Sequence, residues 1–159
     1  MTIRIPRVKG VYLLLLKLND SVNVRTRSRL FKIPKGFYVY IGSAMNRGGL
    51  YSRLKRYVLK KSKCFWHIDY LLRDPGVELI GFMYKTVSGN SFDWETYLAK
   101  LLGDRFEYIN GFGCSDKRWN RSHLYRCGYF LEECLEKIFF LLEMSFEYIS
   151  IDQLIYKPL

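Results

Sequence analysis

The chain has 159 residues, enough for one hydrophobic core and too few for two ordinary domains. Hydrophobic residues make up 49% and aromatic residues 17%, which excludes general disorder because this apolar surface can offset the entropy of the chain. The net charge of +11 is uneven: 16 of the 26 Lys and Arg residues lie in residues 1–63, beside a single acid. This asymmetry favours a polyanionic partner, although a generally basic, solvated surface stays open as an alternative.

The sequence predicts no membrane partner. The apolar run at residues 11–16 is too short for a secretion signal or a membrane span, and the basic residues are spread over several predicted elements. The four cysteines (Cys64, Cys114, Cys127 and Cys134) lack regular spacing. They therefore predict reduced thiols in a cytoplasmic, intracellular protein.

Three strands are predicted in the first third of the chain. Gly10–Leu18 reads as a strand buried on both faces, and the turn at Pro34-Lys35-Gly36 precedes a strand over Phe37–Gly42. Between them, Val22–Leu30 alternates and predicts a strand with Arg25, Arg27 and Arg29 along one side. These arginines suit either the protection of a sheet edge or contact with phosphates. Short connections predict that the three strands pair antiparallel.

Helices dominate the remainder. We expect a helix from about Leu50 to Lys61, a short helical segment at Phe65–Leu72, a strand at Val77–Lys85 and a helix capped by Ser91 or Asn90 that ends near Leu102. A glycine-rich loop follows at residues 111–116, then a strand at His123–Cys127 and an apolar helix at Phe130–Phe146. The pattern predicts an α+β fold with a small, mostly antiparallel central sheet flanked by helices.

The C-terminal apolar helix has two interpretations. It either closes the core of the same domain or forms the seam of a homodimer. We prefer the first, so that residues 1–127 form the main domain and residues 128–159 a helical extension packed on it. A homodimer through this helix stays open.

Two short motifs resemble the signatures of the GIY-YIG nuclease superfamily. Gly10-Val11-Tyr12 and Tyr40-Ile41-Gly42 each fall on a predicted strand, and Leu50-Tyr-Ser-Arg53-Leu-Lys-Arg-Tyr57 follows on a predicted helix after a three-residue insertion. More narrowly, residues 66–71, 111–116 and 122–124 resemble an uncharacterised, largely archaeal branch that is sometimes fused to DNA glycosylases of the endonuclease III type. The resemblance covers about Gly10 to Cys127 and implies the fold of that superfamily.

The resemblance also implies an active site. It assigns Glu95 as the ligand of one Mg²⁺ or Mn²⁺ ion, Arg53 as the phosphate-binding group, and Tyr12 as the group that activates water. Tyr40 would position the water or the phosphate, and Tyr57 would support the site. Such roles suit phosphodiester hydrolysis, which needs an activated water, neutralised phosphate oxygens and a stabilised leaving group. Without the resemblance, a helix-start acid and core tyrosines would be the simpler interpretation.

Further residues have open roles. Ser43 stands where repair incision nucleases often carry a lysine, and Asp116 and His123 fall in the late region of the motif. His67 suits either a proton shuttle or a buried histidine. An alternative zinc site would join Cys64 and His67 to His123 and Cys127, although neither half has the usual paired cysteines.

The sequence therefore predicts a divalent-metal-dependent endonuclease that hydrolyses DNA, duplex or branched, in repair or recombination. The expected nucleic-acid contacts are Arg25, Arg27, Arg29, Arg47, Arg56 and Lys60. Two alternatives stay open. One is a non-catalytic or weakly catalytic nucleic-acid-binding module on the same scaffold, and the other is an interaction protein with an acidic partner.

Overall fold

A computed structural model describes residues 2–60, 63–89, 91–143 and 145–156. Six strands form one antiparallel sheet, in the spatial order β7 (Glu107–Tyr108), β8 (Leu124–Gly128), β5 (Gly36–Ala44), β2 (Gly10–Leu18), β6 (Val77–Thr86) and β9 (Glu147–Ser150). The helices are α1 (Gly49–Leu59), α2 (His67–Leu72), α3 (Trp94–Gly103), α4 (Leu131–Leu141) and α5 (Ile151–Leu154). Two pairs of strands lie apart from the sheet, β1 (Thr2–Ile3) with β10 (Ile155–Tyr156) and β3 (Val22–Arg25) with β4 (Leu30–Ile33). The predicted α+β class with a mostly antiparallel sheet is confirmed.

Strand β2 is the centre of the molecule. It pairs with β5 on one side and β6 on the other, and its residues are almost all buried. Tyr12, Leu14 and Leu16 face the core that α1 and α2 cover, whereas Val11 and Leu13 face the core that α3 and α4 cover. A strand covered on both faces must be apolar throughout, which is why this run lacks the usual alternation. The predicted bounds of this strand are confirmed.

The first motif glycine sets the distance between α1 and the sheet. A Cβ on Gly10 would lie 2.5 Å from Cδ1 of Leu50 and 2.6 Å from the carbonyl oxygen of Lys85. Leu50 is fully buried at the start of α1. Only glycine at this point of β2 therefore lets the helix approach closely enough to bring its later residues over the sheet.

The prediction of one strand over Val22–Leu30 is wrong. The chain turns at Thr26–Arg29, where the Thr26 amide donates to the Arg29 carbonyl (2.9 Å) and the Arg29 amide donates to the Thr26 hydroxyl (3.2 Å). The result is a hairpin of β3 and β4 that packs on the α1/α2 side through Val24 and Phe31 and does not join the central sheet. Burial does alternate along β3, where Val22 and Val24 are buried, but after the turn the buried positions are Phe31 and Ile33, so the alternation does not continue in step through the turn.

The start of the helix that carries Glu95 differs from the prediction. Helix α3 is capped by Asp93, whose carboxylate accepts from the Thr96 amide (3.2 Å), and not by Ser91. The other predicted cap, Asn90, and the predicted end of the first helix, Lys61, lie outside the described residues. Asp93 competes better than Ser91 because it stands immediately before the first helical residue, where the cap must lie.

The predicted helix over Phe130–Phe146 is too long. Helix α4 ends at Leu141, Glu143 adopts a left-handed backbone (φ 53°), and residues 147–150 form β9 at the edge of the sheet beside β6. Cys134 and Ile138 of α4 are buried in the core that α3 also covers, whereas Phe140 is 84% exposed. Within the described residues, no helix has the length and apolarity needed to cross a bilayer. The homodimer through α4 stays a prediction.

The expectation of four reduced cysteines is wrong. Cys127 on β8 and Cys134 on α4 form a disulfide, whereas Cys64 and Cys114 are free. The two cysteines are seven positions apart, and the short connection at residues 129–130 between β8 and α4 brings their sulfurs together. The alternative zinc site loses a ligand because Cys127 is already bonded. Among the described residues, no group of three or more His, Cys, Asp or Glu side chains could hold a metal.

One buried ion pair joins α1 to α2 and gives a prediction for stability. Asp69 accepts hydrogen bonds from Arg56 (2.7 Å) and from the amides of Phe65 (2.9 Å) and Trp66 (2.8 Å). We expect Asp69→Ala to lower the free energy of unfolding by about 3 kcal/mol in urea titrations, because it leaves a half-buried guanidinium and two amides without their acceptor. The matched change Lys137→Ala, at an exposed pair with Glu133, should leave stability near the wild-type value. Equal stability of the two variants would contradict this account.

Candidate active site

The second motif glycine makes room for the ring of Tyr12. Tyr12 of β2 lies opposite Gly42 of β5 in the antiparallel register. A Cβ on Gly42 would lie 2.3 Å from both Cζ and the hydroxyl oxygen of Tyr12, so the phenol lies flat across this glycine. The two motifs therefore fit each other: one supplies the tyrosine, and the other supplies the space that it occupies.

This fit predicts the effect of one added methyl group. Gly42→Ala should force the Tyr12 ring out of its position and lower the free energy of unfolding by about 1–3 kcal/mol, measured by urea denaturation. Gly103→Ala is the matched control, because a Cβ there meets Tyr125 at an ordinary 3.6 Å. If the two alanine variants unfold at the same urea concentration, the steric reason given for Gly42 is wrong.

Tyr12, Tyr57 and Arg53 form a connected chain. The hydroxyl groups of Tyr12 and Tyr57 lie 2.8 Å apart, and the Arg53 guanidinium lies close enough to Tyr57 to affect its pKa. Both phenols are almost fully buried. Burial raises the pKa of Tyr12 well above its usual value, and the nearby Arg53 offsets this only in part. The phenol of Tyr12 is therefore neutral in this environment.

The same chain orients the arginine. Arg53 and Tyr57 lie one turn apart on α1, which places them on the same face of the helix. The guanidinium of Arg53 also stacks on the Trp66 ring, 4.4 Å from its centroid, and stays partly exposed. A guanidinium held from two sides presents its remaining N–H groups in a fixed direction, as bidentate binding of a phosphate requires.

Tyr40 lies near both the Tyr12–Tyr57–Arg53 group and the Glu95 carboxylate. It is on the same face of the sheet as Tyr12, with its ring edge-on to Phe112 and 6.5 Å from the ring of His123. Burial raises the pKa of Tyr40 well above its usual value, and the nearby Tyr57 and Glu95 add to this. Gly113 allows the packing, since a Cβ there would lie 2.9 Å from Cε2 of Tyr40.

Glu95 lies in the first turn of α3 and belongs to a second cluster. Its Oε1 accepts a hydrogen bond from the Ser43 hydroxyl, and its Oε2 lies 3.8 Å from Nδ1 of His123. Asn120 lies 3.2 Å from the other ring nitrogen, Nε2. Because an amide N–H₂ group only donates, Nε2 must accept, so neutral His123 carries its proton on the nitrogen that faces Glu95.

Strand β8 stops pairing with β5 shortly before Ser43, the residue that contacts Glu95. Pairing of β5 with β8 runs only from Phe37 to Tyr40, and beyond it the Ile41 amide donates to the His123 carbonyl (2.9 Å). Gly42 and Ser43 lie beyond the part of β5 that pairs with β8, although both still pair with β2. Glu95 comes from the α3 side of the sheet and reaches Ser43 at this opening, while Tyr40 lies on the α1 side. No hydrogen bond between Glu95 and Tyr12, Tyr57 or Arg53 occurs in the described residues.

His67 lies apart from the phenols. Its Nδ1 accepts from the Gly113 amide (2.8 Å), and its ring packs against Phe31 and Phe112. Burial lowers the pKa of His67 from its usual value, the nearby Arg29 lowers it further, and Asp116 partly offsets both. One ring nitrogen is therefore committed to the backbone, and the described contacts do not include Tyr12, Tyr40 or Glu95.

The lowered pKa of His67 gives a prediction for pH dependence. The folded state disfavours the imidazolium form, so the stabilisation is present above about pH 6.5 and is lost as pH falls towards the folded pKa, because the unfolded chain protonates first. The protein has two histidines, which makes the NMR spectrum simple. We expect the ring protons of His67, assigned with His67→Gln, to titrate below pH 6.5. A midpoint at or above pH 6.5 would contradict the account.

The predicted nucleic-acid contacts fall into two groups. Arg25, Arg27, Arg29, Arg47 and Lys60 are exposed. Arg56 is committed to Asp69, to the Lys63 carbonyl (3.1 Å) and to the Trp66 ring. Because the hairpin turns at Thr26, the three arginines of residues 25–29 do not lie along one side of a single strand, as the sequence predicted.

The donor set fits a hard divalent cation. Glu95 offers a carboxylate with one oxygen 3.8 Å from the nearest His123 nitrogen, and its side chain is 19% exposed. The neighbouring groups, Ser43 and Tyr40, carry oxygen as well. Mg²⁺ and Mn²⁺ prefer oxygen ligands, and Mg²⁺ retains several waters, so a single partly exposed carboxylate is compatible with one such ion.

Two residues of this site have positioning roles that the sequence does not predict. Ser43 holds Glu95, and Asn120 fixes the tautomer of His123 while also donating to the Thr96 hydroxyl (3.2 Å). Ser43 had one available signal, since it directly follows the Tyr40-Ile41-Gly42 motif. Asn120 had none, because it enters the site only through the fold of the loop at residues 111–122.

The comparisons with known proteins give one match. Residues 11–144 match the family described as Domain of unknown function DUF123, which covers most of the chain and reaches from the Tyr12 strand to the end of the α4 region. No curated protein and no solved structure matches the chain. The matched residues include both motif strands except Gly10, together with Arg53, Tyr57, Glu95 and His123. The chain therefore belongs to the DUF123 family.

Proposed function

We propose that the chain is a divalent-metal-dependent endonuclease of the GIY-YIG type that hydrolyses DNA phosphodiesters, in repair or recombination. The observation that supports it most is the position of Tyr40 near two clusters, since both Tyr57 and Glu95 affect its pKa. One cluster offers a guanidinium held by two buried phenols, and the other offers a carboxylate held by Ser43 and His123. Hydrolysis of a phosphodiester by one metal ion needs a positive group that binds the phosphate oxygens and a carboxylate that binds the metal. These clusters offer both.

Each group has a proposed role. Arg53 binds the non-bridging oxygens of the scissile phosphate, and Tyr57 and Tyr12 hold Arg53 in its direction. Glu95 holds the cation, with Ser43 and His123 as positioning residues. When bound, a Mg²⁺ or Mn²⁺ ion would supply a more acidic water and neutralise charge on the leaving oxygen. Tyr40 lies near the two charged groups and would orient the water or the phosphate.

The phenols favour positioning over ionisation. Tyr12 is 1% exposed, Tyr40 is 6% exposed, and burial raises the pKa of both. Neutral phenols donate and accept hydrogen bonds, which suits the orientation of Arg53 and of a water. In the hydrolysis, the oxygen of water would form the new bond to phosphorus and release a proton to solvent, while the leaving oxygen would depart with the electrons of the broken P–O bond and take up a proton from solvent.

The burial of the phenols also favours a second candidate, a non-catalytic or weakly catalytic nucleic-acid-binding module. A plasmid nicking assay separates the two functions. We expect the wild type to convert supercoiled to nicked plasmid with Mg²⁺ or Mn²⁺ and to stop when a chelator is added. If the wild type binds DNA but leaves plasmid, branched DNA and RNA intact with either ion, the binding module is the better account.

A further inference from the structure

Three arginines without a carboxylate partner surround one cavity beside the candidate active site. The cavity has a volume of about 290 Å³ and is lined by Arg29, Arg118, Arg121, His67 and the glycine-rich loop. All three arginines are exposed, and no ion pair engages them in the described residues. Asp116 lies near enough to affect the pKa of His67, but one acid beside three arginines leaves the local charge positive. Such a cavity suits an anion with several oxygens.

The structure holds Arg29 at the mouth of this cavity. Its guanidinium lies 4.7 Å from the centroid of Phe31, and a Cβ on Gly111 would lie 2.3 Å from its Nη1. Gly111 also has a left-handed backbone (φ 76°), which favours glycine. Its amide donates to the Arg121 carbonyl (2.8 Å) and thereby closes the loop that carries Arg118 and Arg121.

Trp119 is 68% exposed and lines an adjoining hollow that shares Asn120 and Arg121 with the arginine cavity. Its ring nitrogen donates to the Thr96 hydroxyl (3.0 Å), which fixes the ring while leaving its surface open. Thr96 follows Glu95 on α3, and Asn120 contacts both Thr96 and His123. The exposed ring is therefore anchored to the residue next to the candidate metal ligand.

From these contacts we infer that Trp119, Arg29, Arg118 and Arg121 form a subsite for an unpaired stretch of polynucleotide. A base stacks on Trp119, and the adjoining phosphates bind the three arginines. An exposed aromatic ring beside cations is the combination that single strands require, because every base has a stacking face and every linkage a charge. The inference rests on the proposed function, since it places this subsite next to the phosphate to be cleaved, and it narrows the substrate to DNA or RNA with an unpaired segment.

Binding without metal tests the inference independently of cleavage. Fluorescence anisotropy would compare dT12, U12 and a blunt 12-base-pair duplex, with EDTA present. We expect Trp119→Ala to weaken binding of dT12 about ten-fold or more, since stacking of one base contributes that much, and to change duplex binding little. Phe140→Ala, at an exposed aromatic residue on α4, is the matched control and should bind dT12 like the wild type. The dT12 and U12 arms show whether the subsite prefers DNA or RNA.

A second measurement covers a loss of folding in Trp119→Ala. Trp119→Phe keeps an aromatic face and should bind dT12 within about three-fold of the wild type. Replacing Arg118 and Arg121 together by Ala should reduce the slope of log K against log salt by roughly one to two. Arg105→Ala is the control for a single exposed arginine outside the cavity, because Arg105 lies in a different hollow beside Lys137 and Phe140.

The outcomes are distinct from those of the nicking assay. Trp119→Ala that binds dT12 like the wild type overturns the inference, as does a wild type that binds only duplex. If Trp119→Ala loses binding to an acidic peptide but binds dT12 like the wild type, the inference is also overturned, in favour of a protein partner. A chain that binds dT12 through Trp119 and never cleaves leaves the subsite intact and defeats only the proposed function.

Discussion

Glu95→Gln is expected to lower the rate of metal-dependent nicking by about three orders of magnitude, which is the size expected when a group that organises transition-state charge is removed. The amide keeps the shape of the side chain, and its carbonyl oxygen can still accept from Ser43. It loses the negative charge, however, and an uncharged ligand binds a hard cation much more weakly. The rate should be measured with Mg²⁺ and with Mn²⁺ at several concentrations, because weaker metal binding is partly offset by more metal.

The matched control for Glu95 is Glu107→Gln. Glu107 lies on the edge strand β7, where it pairs with Arg126 and is exposed. Its replacement should leave nicking unchanged. A Glu95→Gln protein that nicks as fast as the wild type, at every metal concentration, would remove Glu95 from the site and with it the proposed position of the cation.

Arg53→Ala is expected to slow nicking by roughly two to three orders of magnitude, because one preorganised contact to the phosphate is lost. Arg53→Lys should recover only a small part of this rate. A lysine keeps the charge but cannot present two parallel N–H groups, and it has no planar face to lie on Trp66. The rates should be measured by nicking under single-turnover conditions, which separate the chemical step from product release.

Two variants check that Arg53 acts as the account says. Arg105→Ala removes an exposed arginine beside Lys137 and Phe140, away from the proposed site, and should change nicking by less than about three-fold. Tyr57→Phe removes the hydroxyl that joins Tyr12 to Arg53 and should give an intermediate loss. If Arg53→Lys is as active as the wild type, the planar fork is not needed and the role of Arg53 is reduced to its charge.

The sequence predicts the fold best where local pattern and tertiary environment agree. The long apolar run of β2 is a strand because both faces are covered, and its bounds follow from the pattern alone. The turn at Thr26 escapes prediction because it has no glycine, proline or asparagine and closes through a threonine hydroxyl. Strand β9 escapes because α4 ends without a glycine, at a left-handed Glu143, and because its partner β6 lies far away in the chain.

The site divides in the same way. The motifs name Tyr12, Tyr40, Arg53 and Glu95, and the steric fit of Gly42 against Tyr12 explains why the two motifs depend on each other. The holding groups are not visible in the sequence, because Ser43 and Asn120 acquire their roles only where β8 stops pairing with β5. The disulfide between Cys127 and Cys134 is hidden for a similar reason, since a strand and a helix must first meet.

The most direct test of the proposed site is a crystal soaked in Mn²⁺, with the cation located by anomalous scattering. The account predicts one ion bound to the Glu95 carboxylate at about 2.2 Å, on the side that faces Tyr40 and Arg53, with waters completing its coordination. An ion bound at other carboxylates while Glu95 keeps only its contacts with Ser43 and His123 would contradict the account.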